Sequence, residues 1–192
     1  MSSIRFASLG KGEFLPSLRG DLKRAKQSLS IICPWIDEYF ANEVALACTA
    51  AVRVSVIMRP EESVDDIMWP HMVGAVSRLN EHFESLAVHT LEYLHAKSII
   101  IDDEIAYVGS TNFYRFSLED SKELALRGPL KEMGNLAGAI KKLLEDSVVY
   151  KVPVAKSKIN VDGVKQEIYD PIVRNILAKN PKAWVIGPKP KK

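Results

Sequence analysis

A histidine, a lysine, a serine and an asparagine stand near the two ends of one short segment, HAKSIIIDDEIAYVGSTN, residues 95–112. An imidazole can attack, accept a proton or deliver one near neutral pH. A lysine cation, an amide and a hydroxyl are donors suited to the non-bridging oxygens of a phosphate. Together they are the parts of a phosphoryl-transfer site without a metal, in which fixed charge replaces the usual cation. Taken singly, His95 reads better as a core histidine and Lys97 as an edge-strand lysine, because polar residues find partners without any catalytic role. The combination carries more weight. His95, Lys97, Asp102, Gly109, Ser110 and Asn112 satisfy H-x-K-x4-D-x6-G-S-x-N without a gap.

The same segment has the form of a β-hairpin. Side chains alternate faces along a strand, so His95 and Lys97 point the same way. Ile99, Ile100 and Ile101 are apolar at both parities, which predicts a strand covered on both faces. A two-residue turn at Asp103 and Glu104 pairs Asp102 with Ile105, Lys97 with Ser110 and His95 with Asn112. Gly109 then permits close approach of the chain. Asp102 has the opposite parity to His95 and lies at the turn, so it reads as a structural residue bonded to backbone.

The elements that must position this hairpin follow from periodicity and breakers. LPSLRGDLKRAKQ is helical, SLSIICPWID a strand stopped by Pro34, EYFANEVALACTAA helical, and VRVSVIMRP a strand stopped by Pro60. MWPHMVGAVSRLNEHF is a helix starting near Pro70, and LAVHTLEYL is a strand leading into the hairpin. KELALRG is a further strand, followed by PLKEMGNLAGAIKKLLEDSVV as one long helix with Pro129 at its start. NVDGVKQ holds a turn, and DPIVRNILAKNP is a short helix capped by Asp170 with Pro171 at its first position. This alternation predicts an α/β fold with a mixed β-sheet layered between helices, because a hairpin cannot be parallel.

Residues 1–147 are expected to form the catalytic domain and 148–192 a small basic C-terminal extension. Residues 151–192 hold ten Lys/Arg against three acidic residues, a net +7, which leaves −5 for residues 1–150. Such a tail suits a polyanion or serves solubility. Cys33 and Cys48 read as two buried free thiols, and no zinc site fits their spacing. No apolar stretch approaches membrane-spanning length and the N-terminus has no secretory pattern, so a cytoplasmic protein is expected. Trp35, Trp69, Tyr114 and Phe116 read as core or as support for the site rather than as base-stacking residues, and no basic stripe interleaved with aromatics is visible.

The ungapped motif resembles the signature of the phospholipase D superfamily. The likeness extends through NFYRFSLEDSKELAL, with Ser117 followed by Glu123, and covers residues 1 to about 147. The resemblance implies an α/β/α half-domain and roles by position. His95 is then the nucleophile that forms a phosphohistidine, or the acid for the leaving oxygen. Lys97 and Asn112 bind phosphate oxygens, Ser110 and Gly109 support that pocket, and Glu123 orients a histidine. It implies no cofactor and no metal. The family's site needs two motifs, and His71, His82 and His89 have no lysine two residues on. The second set is therefore expected from another copy of the chain, giving a homodimer with one composite site. Short single-motif chains resemble the Nuc-type endonuclease branch, so nucleic acid is the expected partner and a membrane is not. The alternatives are a phospholipid phosphodiesterase or phosphatidyltransferase, and a non-catalytic nucleic-acid-binding subunit.

Overall fold

Both parities of the Ile99–Ile101 run are buried because the strand that carries them lies inside an eight-stranded sheet. The computed structural model describes residues 3–186. In chain order the first part contains β1 (Arg5–Ser8), α1 (Phe14–Leu22), β2 (Ser28–Ile32), α2 (Glu38–Ala47) and β3 (Arg53–Met58). Then come α3 (Met68–His82), β4 (Leu86–Thr90), β5 (Ser98–Ile101), β6 (Ile105–Gly109), α4 (Arg115–Glu119) and β7 (Ala125–Pro129). It closes with α5 (Leu136–Glu145) and β8 (Val148–Val149). The sheet order is β1-β7-β6-β5-β2-β3-β4-β8. β2, β3 and β4 are parallel, and all other neighbours are antiparallel. The sheet is mixed, as the alternation predicts. β8 pairs with β4 and so carries this sheet past residue 147.

By compactness the chain divides into Met1–Lys151 and Val152–Lys192. Within its described residues the second unit contains β9 (Lys156–Val161), β10 (Val164–Tyr169), α6 (Asp170–Lys179) and β11 (Trp184–Val185). These strands make their own small sheet in the order β10-β9-β11.

Opposite faces of the large sheet have different covers. Ile100 and Ala106 on one face pack with Leu130, Met133, Leu136 and Ile140, while Ile32 and Ile57 meet Ile140 and Leu143 of α5. On the other face, α1 is anchored by a buried polar knot. The Arg127 guanidinium donates to both Asp21 carboxylate oxygens, at 2.7 and 2.9 Å, and the Tyr107 hydroxyl donates to Asp21 at 2.6 Å. Arg24 adds a further contact to the same carboxylate. Phe14 meets Tyr107 edge-on and stacks on Phe113, which in turn stacks on Phe40 of α2. That stack fixes the loop directly after the quoted hairpin.

The hairpin turn is one residue longer than the sequence reading expects. Ile101, not Asp102, pairs with Ile105, and Ser98 pairs with Val108. Asp102 and Asp103 both adopt left-handed backbone, with φ of 55° and 54°, and the Glu104 N–H closes the turn on the Ile101 carbonyl. Carboxamide and carboxylate side chains tolerate that region better than most. The direct Lys97–Ser110 and His95–Asn112 pairings are thereby lost, and Lys97 lies opposite Gly109, whose N–H reaches the Lys97 carbonyl.

Asp102 spends its carboxylate on the start of β2. It accepts the backbone N–H groups of Lys26, Gln27 and Ser28 at 2.7–2.9 Å. Burial works to raise its pKa, but these donors hold it below the ordinary aspartate value. Asp102→Ala is expected to cost about 2 kcal/mol in urea unfolding, since hydrogen bonds to a charged acceptor are lost at a left-handed position. The depressed pKa means that this contribution is complete above the unfolded aspartate pKa. It disappears as pH falls through the lower folded value, so the difference between wild type and variant should shrink in acid.

Two further expectations change. The helix predicted from Pro129 is interrupted: residues Leu130–Glu132 form a short 3-10 turn, Gly134 has φ of 59°, and α5 begins only at Leu136. Asp170 is the first residue of α6 and does not cap it; its carboxylate accepts the Ser157 hydroxyl at 2.7 Å.

Candidate active site

The C-terminal ends of parallel β2 and β3, the entry to β5 and the exit from β6 all open at one rim of the sheet. In open α/β sheets this end of the parallel strands is where ligands are held. His95 lies just before β5 and is exposed, whereas Lys97 is buried, with 7% of its surface accessible. The Lys97 ammonium donates to the His95 carbonyl at 2.8 Å and stands 3.3 Å from His95 Nδ1. An ammonium can only donate, so Nδ1 accepts and the neutral ring carries its proton on Nε2. Burial, assisted by the Arg59 charge, holds the Lys97 pKa below the usual lysine value.

The exit from β6 is built around a carboxylate. Glu123 accepts the Ser110 hydroxyl at 2.5 Å through one oxygen and the Ser117 hydroxyl at 2.6 Å through the other. The Ser117 oxygen accepts the Asn112 backbone N–H at 3.0 Å, and the Ser110 oxygen accepts the Leu124 N–H at 3.1 Å. Ser110, Asn112, Ser117 and Glu123 therefore form one connected unit, despite the lost strand pairing. Among the described residues no hydrogen bond joins Glu123 to His95. Gly109 is required by close approach: a Cβ there would lie 2.2 Å from the Leu124 carbonyl oxygen. Asp102 is far along the hairpin, engaged at its turn.

Three residues outside the motif complete the rim. Cys33 follows β2; its thiol donates to the Trp35 carbonyl at 3.1 Å and lies 3.8 Å from Asn112 Oδ1. Burial pushes that thiol up to about 12, so it remains a neutral S–H beside the asparagine. Trp35 meets the His95 ring edge-on with centroids 6.2 Å apart. Arg59 follows β3, donates from Nε to the Leu94 carbonyl at 2.8 Å and places its guanidinium 5.1 Å from the Trp35 ring centroid. Lys97 Nζ lies 5.9 Å from the same ring. Sequence spacing alone misses Arg59, 36 residues before His95. The available signal was positional: Trp35 and Arg59 each flank a proline that ends an expected strand. Trp69 is buried as expected of a core residue, but Phe116 is 61% exposed and belongs to no core.

Residues 18–143 match the family model described as "Cardiolipin synthase, PLD-like domain". The chain belongs to the phospholipase D superfamily. A cardiolipin synthase of Staphylococcus aureus is 28% identical over 120 residues, which is 57% of this chain and 23% of that protein. The chain thus spans about a quarter of the length of the curated relatives it matches. Among solved structures, the phospholipase D family member Nuc from Salmonella typhimurium superposes with a TM-score of 0.65 at 15% identity, covering 79% of this chain and 99% of Nuc. NucT from Helicobacter pylori gives 0.60 at 18% identity, covering 78% and 99%. These superpositions confirm the superfamily's α/β fold. Among the described residues, no helix is long and apolar enough to cross a membrane.

Proposed function

We propose that this chain is a metal-independent phosphodiesterase that hydrolyses nucleic acid through a His95 phosphoryl intermediate. The observation that carries the reading is the buried Lys97 ammonium set against the exposed His95 ring. Two of the ammonium protons are engaged by His95, and the third is available to a phosphate oxygen. Asn112 and Arg59 supply further donors at the same rim. Drawing Lys97 toward the phosphate relaxes its hold on Nδ1. The ring proton can then reside on Nδ1, leaving Nε2 bare for attack on phosphorus. The ring that protonates a leaving oxygen must be the imidazolium, which gives up its Nε2 proton and returns to the neutral form.

Attack and leaving-group protonation occur on opposite sides of phosphorus, and one imidazole cannot serve both. We infer that a second copy of the chain supplies the opposing His95, and that the two copies share one site. In this reading Glu123, held by two serines, accepts from a histidine of the assembled pair. Because one imidazole must be bare while its counterpart is protonated, a bell-shaped pH–rate profile is expected.

Nucleic acid is favoured by the cationic second unit, where residues 152–192 carry nine Lys/Arg against three acidic residues. The second reading is phosphatidyl transfer, favoured by the cardiolipin synthase relatives. Incubation with plasmid, single-stranded DNA, RNA and phosphatidylglycerol vesicles in excess chelator separates the two. Chelator-resistant strand cleavage is the expected result. Headgroup release without strand cleavage would replace the nuclease reading by the lipid one.

A further inference from the structure

The two faces of the small sheet differ in chemistry. β9 and β10 pair so that Ser157 faces Ile168, Ile159 faces Gln166 and Val161 faces Val164 on one side. α6 covers this side: Ile159 is fully buried, Ile172 and Val173 are buried, and Ser157 bonds Asp170 at the helix start. The opposite parity gives a different set. Lys156 pairs with Tyr169, Lys158 with Glu167, and Asn160 with both Lys165 on β10 and Trp184 on β11. Lys156, Lys158 and Lys165 are exposed, Trp184 is 55% exposed, and Tyr169 is half-buried. Lys156 Nζ stands 4.4 Å from the Tyr169 ring centroid, and Lys158 pairs with Glu167 at 3.5 Å. No stripe of this kind is visible along the sequence, because its members occupy alternate positions of three strands.

We infer that this face binds single-stranded nucleic acid, with bases stacked on Trp184 and Tyr169 and phosphates held by Lys156, Lys158 and Lys165. Trp184 lies opposite Asn160, and Tyr169 lies opposite Lys156 across the other neighbour of β9. Strand geometry separates the two rings by about 16 Å, with Lys158 between them along β9. An exposed indole on a pleated cationic surface offers a π-face to any base, provided that base is not already stacked in a duplex. The charge surplus of the unit suits a polyanion. The assignment goes beyond the catalytic reading and stands without it, since binding here needs no turnover by His95.

The test uses the full chain carrying His95→Ala, so that the probe survives, and a fluorescein-labelled oligo(dT) read by anisotropy in chelator. Trp184→Ala is expected to weaken binding roughly 5- to 150-fold, with Trp184→Phe retaining most of the affinity. Lys165→Gln is expected to reduce the slope of log affinity against log salt by about 0.7. It alters an exposed hairpin side chain, so this readout survives even if Trp184→Ala unfolds the unit. Unchanged binding by both folded variants would overturn the assignment. So would equal affinity for duplex of the same length, or displacement of the oligonucleotide by phosphatidylglycerol vesicles that need the same tryptophan. Absence of chelator-resistant cleavage by the wild-type chain, with binding intact, would instead count against the catalytic reading alone.

Discussion

His95→Ala is expected to lower phosphodiester hydrolysis by about 10^4-fold or more, the scale seen when a nucleophile is removed from a unit of coupled catalytic groups. The loss should fall on kcat, because the proposed phosphate donors Lys97, Asn112 and Arg59 remain. His95 is exposed, so the variant should unfold at the wild-type urea concentration. Lys97→Gln should behave differently. It removes a buried cation that contacts both the His95 carbonyl and Nδ1, so kcat and KM both suffer and the pH profile moves. A composite site adds a sharper expectation: co-refolding wild-type chains with an excess of His95→Ala chains should suppress activity more steeply than dilution does. Proportional loss would place a complete site in each single chain.

Arg127→Ala is expected to be the most destabilising single change in the first unit, at about 3–5 kcal/mol. It strips the bidentate partner from Asp21, a carboxylate with 2% of its surface accessible, and leaves Tyr107 and Arg24 to hold it. For Asp21, burial is the largest influence and would raise the pKa; the bonds from Arg127, Tyr107 and Arg24 outweigh it and bring the value below the ordinary one. In the wild type, therefore, this stabilisation is complete above the unfolded aspartate pKa and is lost as pH falls through the lower folded value. Without Arg127 the burial influence meets less opposition. The urea midpoint of Arg127→Ala should then depend less steeply on acid pH than that of the wild type. Replacing Asp21 and Arg127 together by leucine and methionine should recover much of the loss, because no unpaired charge remains.

Much of the scaffold was legible because its signals are local. Pro34 and Pro60 stop β2 and β3, the Ile99–Ile101 run marks an interior strand, and the apolar spacing of α2 and α3 is helical. The fold class followed from their alternation. Hairpin register was not legible in the same way. Periodicity cannot say whether Asp102 ends a strand or enters a turn; the N–H groups of Lys26, Gln27 and Ser28, about 75 residues away, decide it by capturing the carboxylate. The break before α5 depends on Gly134 taking a left-handed conformation, which a glycine within a helical pattern does not announce. β1 is a short edge strand with no alternation of its own.

At the site, strand parity and motif spacing brought out His95 and Lys97, and the structure joins Ser110, Asn112 and Glu123 through Ser117. Arg59 was hidden, as was the meeting of Trp35 and Cys33 with the motif, because these residues arrive from neighbouring strands of a sheet whose order the sequence leaves open. The cationic aromatic face of β9, β10 and β11 was hidden for a similar reason. Its residues alternate with core residues and meet only once three strands are in register.

In the proposed reaction His95 becomes covalently bonded to phosphorus. Acid-sensitive, base-stable phosphoramidate linkage can be sought by quenching wild-type protein in alkali during turnover of a labelled oligonucleotide, digesting it and mapping the adduct by mass. A nucleotide joined to the peptide containing His95, formed in excess chelator and absent from His95→Ala, is the expected result. Continued turnover with no adduct at His95, or with the adduct on another residue, would contradict it.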